Sequence, residues 1–171
     1  FTSYTWVAHE ETEEALRAAQ TYLAVAVIGG LVMLMGLFLL YGELGTLEFT
    51  RLTAAVKASQ MKGDGGYGRI VTGAVCLLFG FGAKAGVFPL HIWLPKAHPV
   101  APAPASALLS GILTKAGVFG ILVISCCLLP FDAGWGTLML ILGVLTMFTG
   151  ALLALFSVNL KRTLACSSVS Q

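Results

Sequence analysis

Residues 84–115 read KAGVFPLHIWLPKAHPVAPAPASALLSGILTK. Around this stretch lie two long apolar segments, and each of them contains one lysine far from its ends, Lys84 and Lys115. An α-helix needs about 20 mostly apolar residues to cross the hydrocarbon core of a bilayer. The stretch therefore predicts two membrane spans, each with a lysine in its apolar part, joined by a proline-rich connection.

The composition excludes a soluble globular domain. Hydrophobic residues make up 57% of the chain and charged residues only 11%, whereas a soluble domain has about 25% charged residues. The formal net charge is +2, without a run of Lys or Arg, so no nucleic-acid partner is expected. We predict an all-α, polytopic transmembrane helix bundle.

Four spans are predicted along the chain from the length and purity of the apolar segments. They lie at about 18–42, 70–97, 104–129 and 136–158. The end of another helix precedes them and the start of a further helix follows. Because the chain opens at Phe1 and stops inside a helix-like segment, we expect all 171 residues to be an internal fragment of a membrane domain.

The connections have distinct characters. Residues 46–58 place Phe49, Leu52 and Val56 on one face, which is typical of a short amphipathic helix at the membrane interface. Residues 61–69 are glycine-rich and predict a turn, and residues 129–135 predict a tight hairpin.

The basic residues divide equally between the two predicted sides, so the positive-inside rule assigns no orientation. One side holds Arg17, Lys96, Lys161 and Arg162, and the other holds Arg51, Lys57, Lys62 and Arg69.

No cofactor or metal is expected. The cysteines form no CxxC pair and lie in apolar or helix-like segments, which predicts small buried hydrophobic side chains. They are Cys76, Cys126, Cys127 and Cys166. A bis-histidine haem would need facing histidines from two helices, and the sequence offers none.

Lys84 and Lys115 carry the functional hypothesis. A lysine at the centre of a membrane helix costs about 2.5–3.5 kcal/mol, and both lie too deep to reach a headgroup easily. Lys84 points over Gly80, and Lys115 points over Gly111 and Ala107. These small residues leave room for a water pocket, or serve ordinary close helix packing.

The span that contains Lys84 is predicted to be broken. Pro89 has no N–H to donate to Ala85, and Gly86 loosens the same stretch. His91 and His98 follow Lys84 at steps of seven, so on a continuous helix the three residues would share one face as a proton relay. Broken helices at mid-membrane mark ion sites in transporters, although a lone proline kink is common.

A polar row follows on the next span. Ser106, Ser110 and Thr114 are spaced to lie on one face. They are predicted to line a water-filled path, although hydroxyls that bond to their own helix backbone are the commoner case.

These residues resemble the antiporter-like, proton-conducting membrane subunits of respiratory complex I, hydrogenase-4, formate hydrogenlyase and Mrp antiporters. The resemblance rests on the stretch from Lys84 to Lys115 and on Asn159-Leu-Lys-Arg-Thr-Leu-Ala-Cys-Ser-Ser-Val-Ser-Gln171. Ser3-Tyr4 and the acidic turn that follows it also fit, so the resemblance covers nearly the whole chain.

The resemblance implies an inverted-repeat antiporter-like fold with one broken helix. It implies that Lys84 is the central proton-carrying lysine and that Lys115 passes protons onward, with His91 and His98 in a histidine-bearing linker. It also places a glutamate partner a few residues before Ser3, and a second repeat outside this chain.

Three functions follow from these expectations. The first is a proton-translocating subunit of a redox-driven complex, with no catalytic or redox site of its own. The second is an Mrp-type cation/proton antiporter subunit, and the third is a non-conducting structural membrane anchor. The expected partners are other membrane subunits, the lipid bilayer, and protons or Na⁺, in the plasma membrane of a bacterium or an archaeon.

Overall fold

The computed structural model describes residues 2–62, 65–130 and 132–171. The regular secondary structure of this part of the chain is entirely helical, with no strand, which confirms the predicted all-α class. The helices are α1 (Thr2–Val7), α2 (Glu13–Leu44), α3 (Phe49–Lys62), α4 (Gly66–Ala85), α5 (Leu94–Val100), α6 (Ala103–Leu108), α7 (Thr114–Cys127), α8 (Ala133–Leu155) and α9 (Leu160–Ser170). A 3₁₀ segment, Leu90–Trp93, precedes α5, and a π-helical turn, Leu109–Leu113, joins α6 to α7.

Four stretches within the described residues are long and apolar enough to cross a membrane. They are Glu13–Leu44, Gly66–Val100, Ala103–Cys127 and Ala133–Leu155. The second stretch is broken, as predicted, whereas the irregularity in the third was not predicted. The second is interrupted after Ala85, and the third contains the π-helical turn.

The helix ends follow local capping rules. The Thr12 side chain accepts a hydrogen bond from the Ala15 N–H at 3.2 Å, which begins α2. The carboxylate of Asp132 accepts from the Trp135 N–H at 2.7 Å and begins α8. The Tyr67 hydroxyl also donates to Asp132, and these two bonds hold the pKa of the Asp132 carboxyl below its usual range.

α2 and α4 pack closely through small residues. A Cβ atom added to Gly80 would lie 2.5 Å from Met33 Cβ and 2.7 Å from the Gly29 carbonyl oxygen. A Cβ added to Gly36 would lie 2.9 Å from the Gly73 carbonyl oxygen. Gly80, over which Lys84 is predicted to point, therefore serves close helix packing, and it also lines a cavity beside Lys84.

α3 lies against the ends of the spans. Leu52 and Val56 are buried against them, as the amphipathic pattern predicts, whereas Phe49 is exposed. Glu43 ties α2 to its neighbours, because its carboxylate lies 3.3 Å from Arg69 and accepts a hydrogen bond from Ser59 at 3.1 Å. Of the turn predicted at 61–69, residues 63 and 64 and the side chain of Lys62 lie outside the described part.

The cysteines are free thiols, but they are not uniformly buried. Cys166 is buried, Cys76 and Cys127 are half-buried, and Cys126 is exposed. The prediction of a buried Cys126 is wrong for this chain, because the residue lies on the outward face near the end of α7.

Candidate functional site

The end of α4 positions Lys84, the penultimate residue of that helix. α4 stops because Gly86 adopts a φ of 81°, the left-handed conformation that glycine takes without a steric penalty. The N–H groups of Gly86 and Val87 both donate to the Gly82 carbonyl oxygen at 2.9 Å. The helix thus ends at Gly86, one of the two residues predicted for the break, and Pro89 lies three residues beyond this cap.

The side chain of Trp93 stabilises the end of α4 through a hydrogen bond. Its indole Nε1 donates to the Ala83 carbonyl oxygen at 2.8 Å, and the side chain is 1% exposed. Its ring lies 5.0 Å from the ring of Tyr22 on α2. A tryptophan donor satisfies one of the carbonyls that lose their partner where a helix ends. Sequence reasoning missed this residue, although a buried tryptophan needs such an acceptor.

A cavity of about 420 Å³ lies beside Lys84. The residues of α2 that line it fall between Tyr22 and Met33, around the middle of that helix. Ser3 of α1 and Trp93 also line it. The end of α4 therefore holds its lysine at mid-span, against a pocket with mostly apolar walls.

Lys84 is exposed on the surface that this chain presents by itself. Among the described residues, its ammonium group has neither an ion-pair nor a hydrogen-bond partner. Burial of the lysine in the membrane stays a prediction.

Lys115 sits differently. It is exposed, it follows the π-helical turn Leu109–Leu113, and it is not among the residues that line the Lys84 cavity. Its helix nevertheless packs tightly on α4, because a Cβ added to Gly117 would lie 2.5 Å from the Ala85 nitrogen and 2.7 Å from the Phe81 oxygen. A π turn is frequent at functional sites, and nothing in the sequence signalled this one.

Both histidines are buried in separate segments. His91 belongs to the 3₁₀ segment and stacks on Phe88 with ring centroids 5.8 Å apart, while His98 belongs to α5. The steps of seven from Lys84 therefore do not place these residues on one continuous helix. His91 Nδ1 and His98 Nε2 are buried and have no hydrogen-bond partner among the described residues.

The predicted polar row splits into two roles. Ser106 Oγ lies 2.6 Å from His98 Nδ1. This hydroxyl therefore contacts the histidine linker, the segment of residues 86–101 that carries His91 and His98. The Thr114 hydroxyl donates to the Ser110 carbonyl oxygen at 2.7 Å, which is bonding within its own helix. The structure therefore brings Ser106, but not Thr114, to a histidine.

Two contacts from later helices hold the linker and were missed from sequence. The Thr146 hydroxyl of α8 accepts from the Phe88 N–H at 3.0 Å. The Lys161 ammonium of α9 donates to the Ala101 carbonyl oxygen at 3.2 Å. The broken stretch is thus anchored from both sides, since Trp93 bonds back to α4.

Residues 2–171 match the family model described as NADH:quinone oxidoreductase/Mrp antiporter, TM. The chain belongs to this NADH:quinone oxidoreductase/Mrp antiporter family. Membership and the apolar spans together make it an integral membrane protein.

Known members show the same relationship. Hydrogenase-4 component B of Escherichia coli (strain K12) is 36% identical over 98% of this chain and 24% of its own length. An Na(+)/H(+) antiporter subunit of Alkalihalophilus pseudofirmus is 35% identical over 99% of this chain and 34% of its own length. The chain thus spans about a quarter to a third of the length of these relatives.

A solved structure carries the same fold. One chain of the membrane-bound sulfane sulfur reductase, an archaeal respiratory membrane complex, superposes with a TM-score of 0.84 at 29% identity, covering 99% of this chain and 34% of that one. The antiporter-family fold predicted from sequence is therefore confirmed.

Proposed function

We propose that this antiporter-family chain is part of a proton-translocating subunit of a redox-driven membrane complex, and that Lys84 carries the proton. The observation that carries the proposal is the position of Lys84 at the broken end of a membrane helix, beside a cavity of about 420 Å³ at mid-span. Similarity to hydrogenase-4 component B supports the redox-driven setting. The subunit would have no redox site of its own.

The cavity explains how a lysine is tolerated at this depth. A lysine at the centre of a span costs about 2.5–3.5 kcal/mol, and that cost falls where the ammonium group faces water or a carboxylate. The cavity has room for several waters. Ser3 lines it as well, and the resemblance places a glutamate a few residues before Ser3.

The histidine linker supplies the next proton sites. His91 and His98 each have one buried ring nitrogen that bonds to nothing in the described chain. An imidazole accepts a proton on one nitrogen and releases one from the other, and Ser106 Oγ can pass a hydrogen bond to His98. Lys115, on the same span as Ser106, would hand the proton to the remainder of the subunit.

An Mrp-type cation/proton antiporter subunit is the second candidate. It is favoured by the 35% identity to the Na(+)/H(+) antiporter subunit of Alkalihalophilus pseudofirmus over 99% of the chain. Both candidates use the same lysine and place the protein, with other membrane subunits, in a bacterial or archaeal plasma membrane. They differ in whether transport needs Na⁺ or electron flow.

The test is Lys84→Met in the full-length protein within its complex. Methionine keeps the apolar bulk and removes the titrating group, so we expect normal assembly and loss of most proton uptake into vesicles. Lys57→Met is the matched control, because Lys57 is an exposed lysine on α3, outside the four spans.

The readouts separate the alternatives. Proton uptake that requires electron transfer supports the redox-driven subunit, and uptake that requires an Na⁺ gradient supports the antiporter. Wild-type transport by an assembled Lys84→Met complex would overturn Lys84 as the proton carrier, and wild-type transport after replacement of Lys115 as well would support the structural anchor.

A further inference from the structure

A second cavity, of about 580 Å³, lies at the end of the bundle where α2 and α9 begin. Three basic residues from three helices line it, namely Arg17 of α2, Lys96 of α5 and Arg162 of α9. The acidic residues Glu13 and Glu14 also line it. None of these residues belongs to the proposed proton route.

The cavity is lined by three cations and two carboxylates, so a net charge of +1 remains, and Glu14 has no ion-pair partner among the described residues. Glu13 lies 3.5 Å from Arg17 and forms an ion pair with it. Lys96 and Arg162 are exposed and have no ion-pair partner among the described residues. Asn159, the N-cap of α9, also lines the cavity, so the positive end of an 11-residue helix adds to the field. The cavity therefore favours a single compact anion that contacts α5 and α9 together.

The position of the cavity relative to the apolar span favours a lipid headgroup over a free ion as the source of that anion. Ala18 lines the cavity, and the charge-free stretch of α2 begins at this residue, so the cations lie at the edge of the apolar span. Phe156, Val158 and Leu160 are largely or fully exposed on the adjoining end of α8 and start of α9. A phosphate group held by the cations would thus have apolar surface next to it for acyl chains.

We propose that this cavity, lined by Arg17, Lys96 and Arg162, binds the phosphate of an anionic membrane phospholipid. Arginine offers two parallel N–H donors to a phosphate, and lysine adds a point charge. Basic pockets between membrane helices are a known form of lipid headgroup site. The lipid would join α2, α5 and α9, the elements around the histidine linker, at one face of the membrane.

The experiment uses the full-length protein in its complex, purified in detergent and stripped of lipid. The thermal unfolding midpoint is recorded while phosphatidylglycerol, phosphatidylcholine or inorganic phosphate is added, and retained lipid is counted by native mass spectrometry. The test variant is Lys96→Gln with Arg162→Gln. The control is Arg51→Gln with Lys57→Gln, which removes two cations from α3 at the opposite end of the bundle.

We expect phosphatidylglycerol to raise the midpoint of the wild type and the control, and the test variant to need about tenfold or more lipid for the same rise. An equal response of the test variant would overturn the proposal. So would an equal rise with phosphatidylcholine, which would indicate general lipid solvation, or with inorganic phosphate alone, which would indicate a free-anion site. If the double variant fails to assemble, Lys96→Gln alone must still weaken the response to phosphatidylglycerol, and a wild-type response of that variant rejects the site.

Discussion

Lys84 and Lys115 are equivalent in the sequence and different in the fold. Each lies far inside an apolar segment, but Lys84 is the penultimate residue of α4 and lines a cavity, whereas Lys115 is the second residue of α7, after a π turn, and does not line that cavity. The difference teaches that depth in a span does not define a carrier site. The surrounding helices differ between the two lysines, because only Lys84 lines this cavity.

The largest expected effect comes from two single variants, Lys84→Arg and Lys115→Arg. Guanidinium does not release its proton near neutral pH, so Lys84→Arg should lower proton uptake by about tenfold or more, because Lys84 lines the cavity that is proposed to hold water for the proton route. Lys115→Arg should cause a smaller loss, because Lys115 does not line that cavity. Proton uptake per electron in reconstituted vesicles measures both variants.

Equal losses at the two positions would break the comparison, since the cavity would then make no difference. Wild-type uptake by Lys84→Arg would make Lys84 a fixed charge rather than a carrier.

The second largest effect is expected from a change in the packing between α4 and α7, the two helices that carry the lysines. In Gly117→Ala, the new methyl group would lie 2.5 Å from the Ala85 nitrogen, and overpacking of this kind costs about 1–3 kcal/mol. We expect a lower thermal midpoint and impaired transport, because α7 must move away from the end of α4.

Gly143→Ala is the matched control, because that α8 glycine has nothing within 4 Å of an added Cβ. It should leave the midpoint unchanged or slightly raised. If the two variants unfold alike, the close approach of α4 and α7 does not contribute to stability.

The smallest effect concerns the support below Lys84. Trp93→Phe removes the indole donor and leaves the Ala83 carbonyl without this partner, a cost of about 1–3 kcal/mol that stays local. Hydrogen exchange at residues 86–93 should become faster, with transport reduced less than in the lysine variants. Trp6→Phe, at a partly exposed position on α1, is the control. Unchanged exchange in Trp93→Phe would show that the glycine cap alone ends α4.

Much of the fold could be predicted from local sequence. The apolar stretches that predict spans at 18–42 and 104–129 correspond to the candidate spans Glu13–Leu44 and Ala103–Cys127 in the structure. The reason is that the hydrocarbon core offers no hydrogen-bond partners, so a spanning segment must satisfy its own backbone N–H and C=O groups, as a helix does. A long apolar stretch by itself therefore predicts a helix. Two lysines inside such segments identified the candidate proton sites for the same reason, because nothing in a lipid-facing helix would solvate them.

The sequence alone indicated the membrane class, the apolar segments and the two lysines within them. Only the tertiary structure decided how the surroundings of the two lysines differ. Pro89 and Gly86 together suggested a break, and the structure shows that the turn occurs at Gly86, where two N–H groups donate to the Gly82 carbonyl oxygen. Trp93 reaches back ten residues to Ala83, and Gly117 lets α7 approach Phe81 and Ala85. Such contacts join residues distant along the chain, and helical periodicity describes only neighbours one turn apart. Which lysine lies beside a cavity therefore depends on how α2, α4 and Trp93 pack.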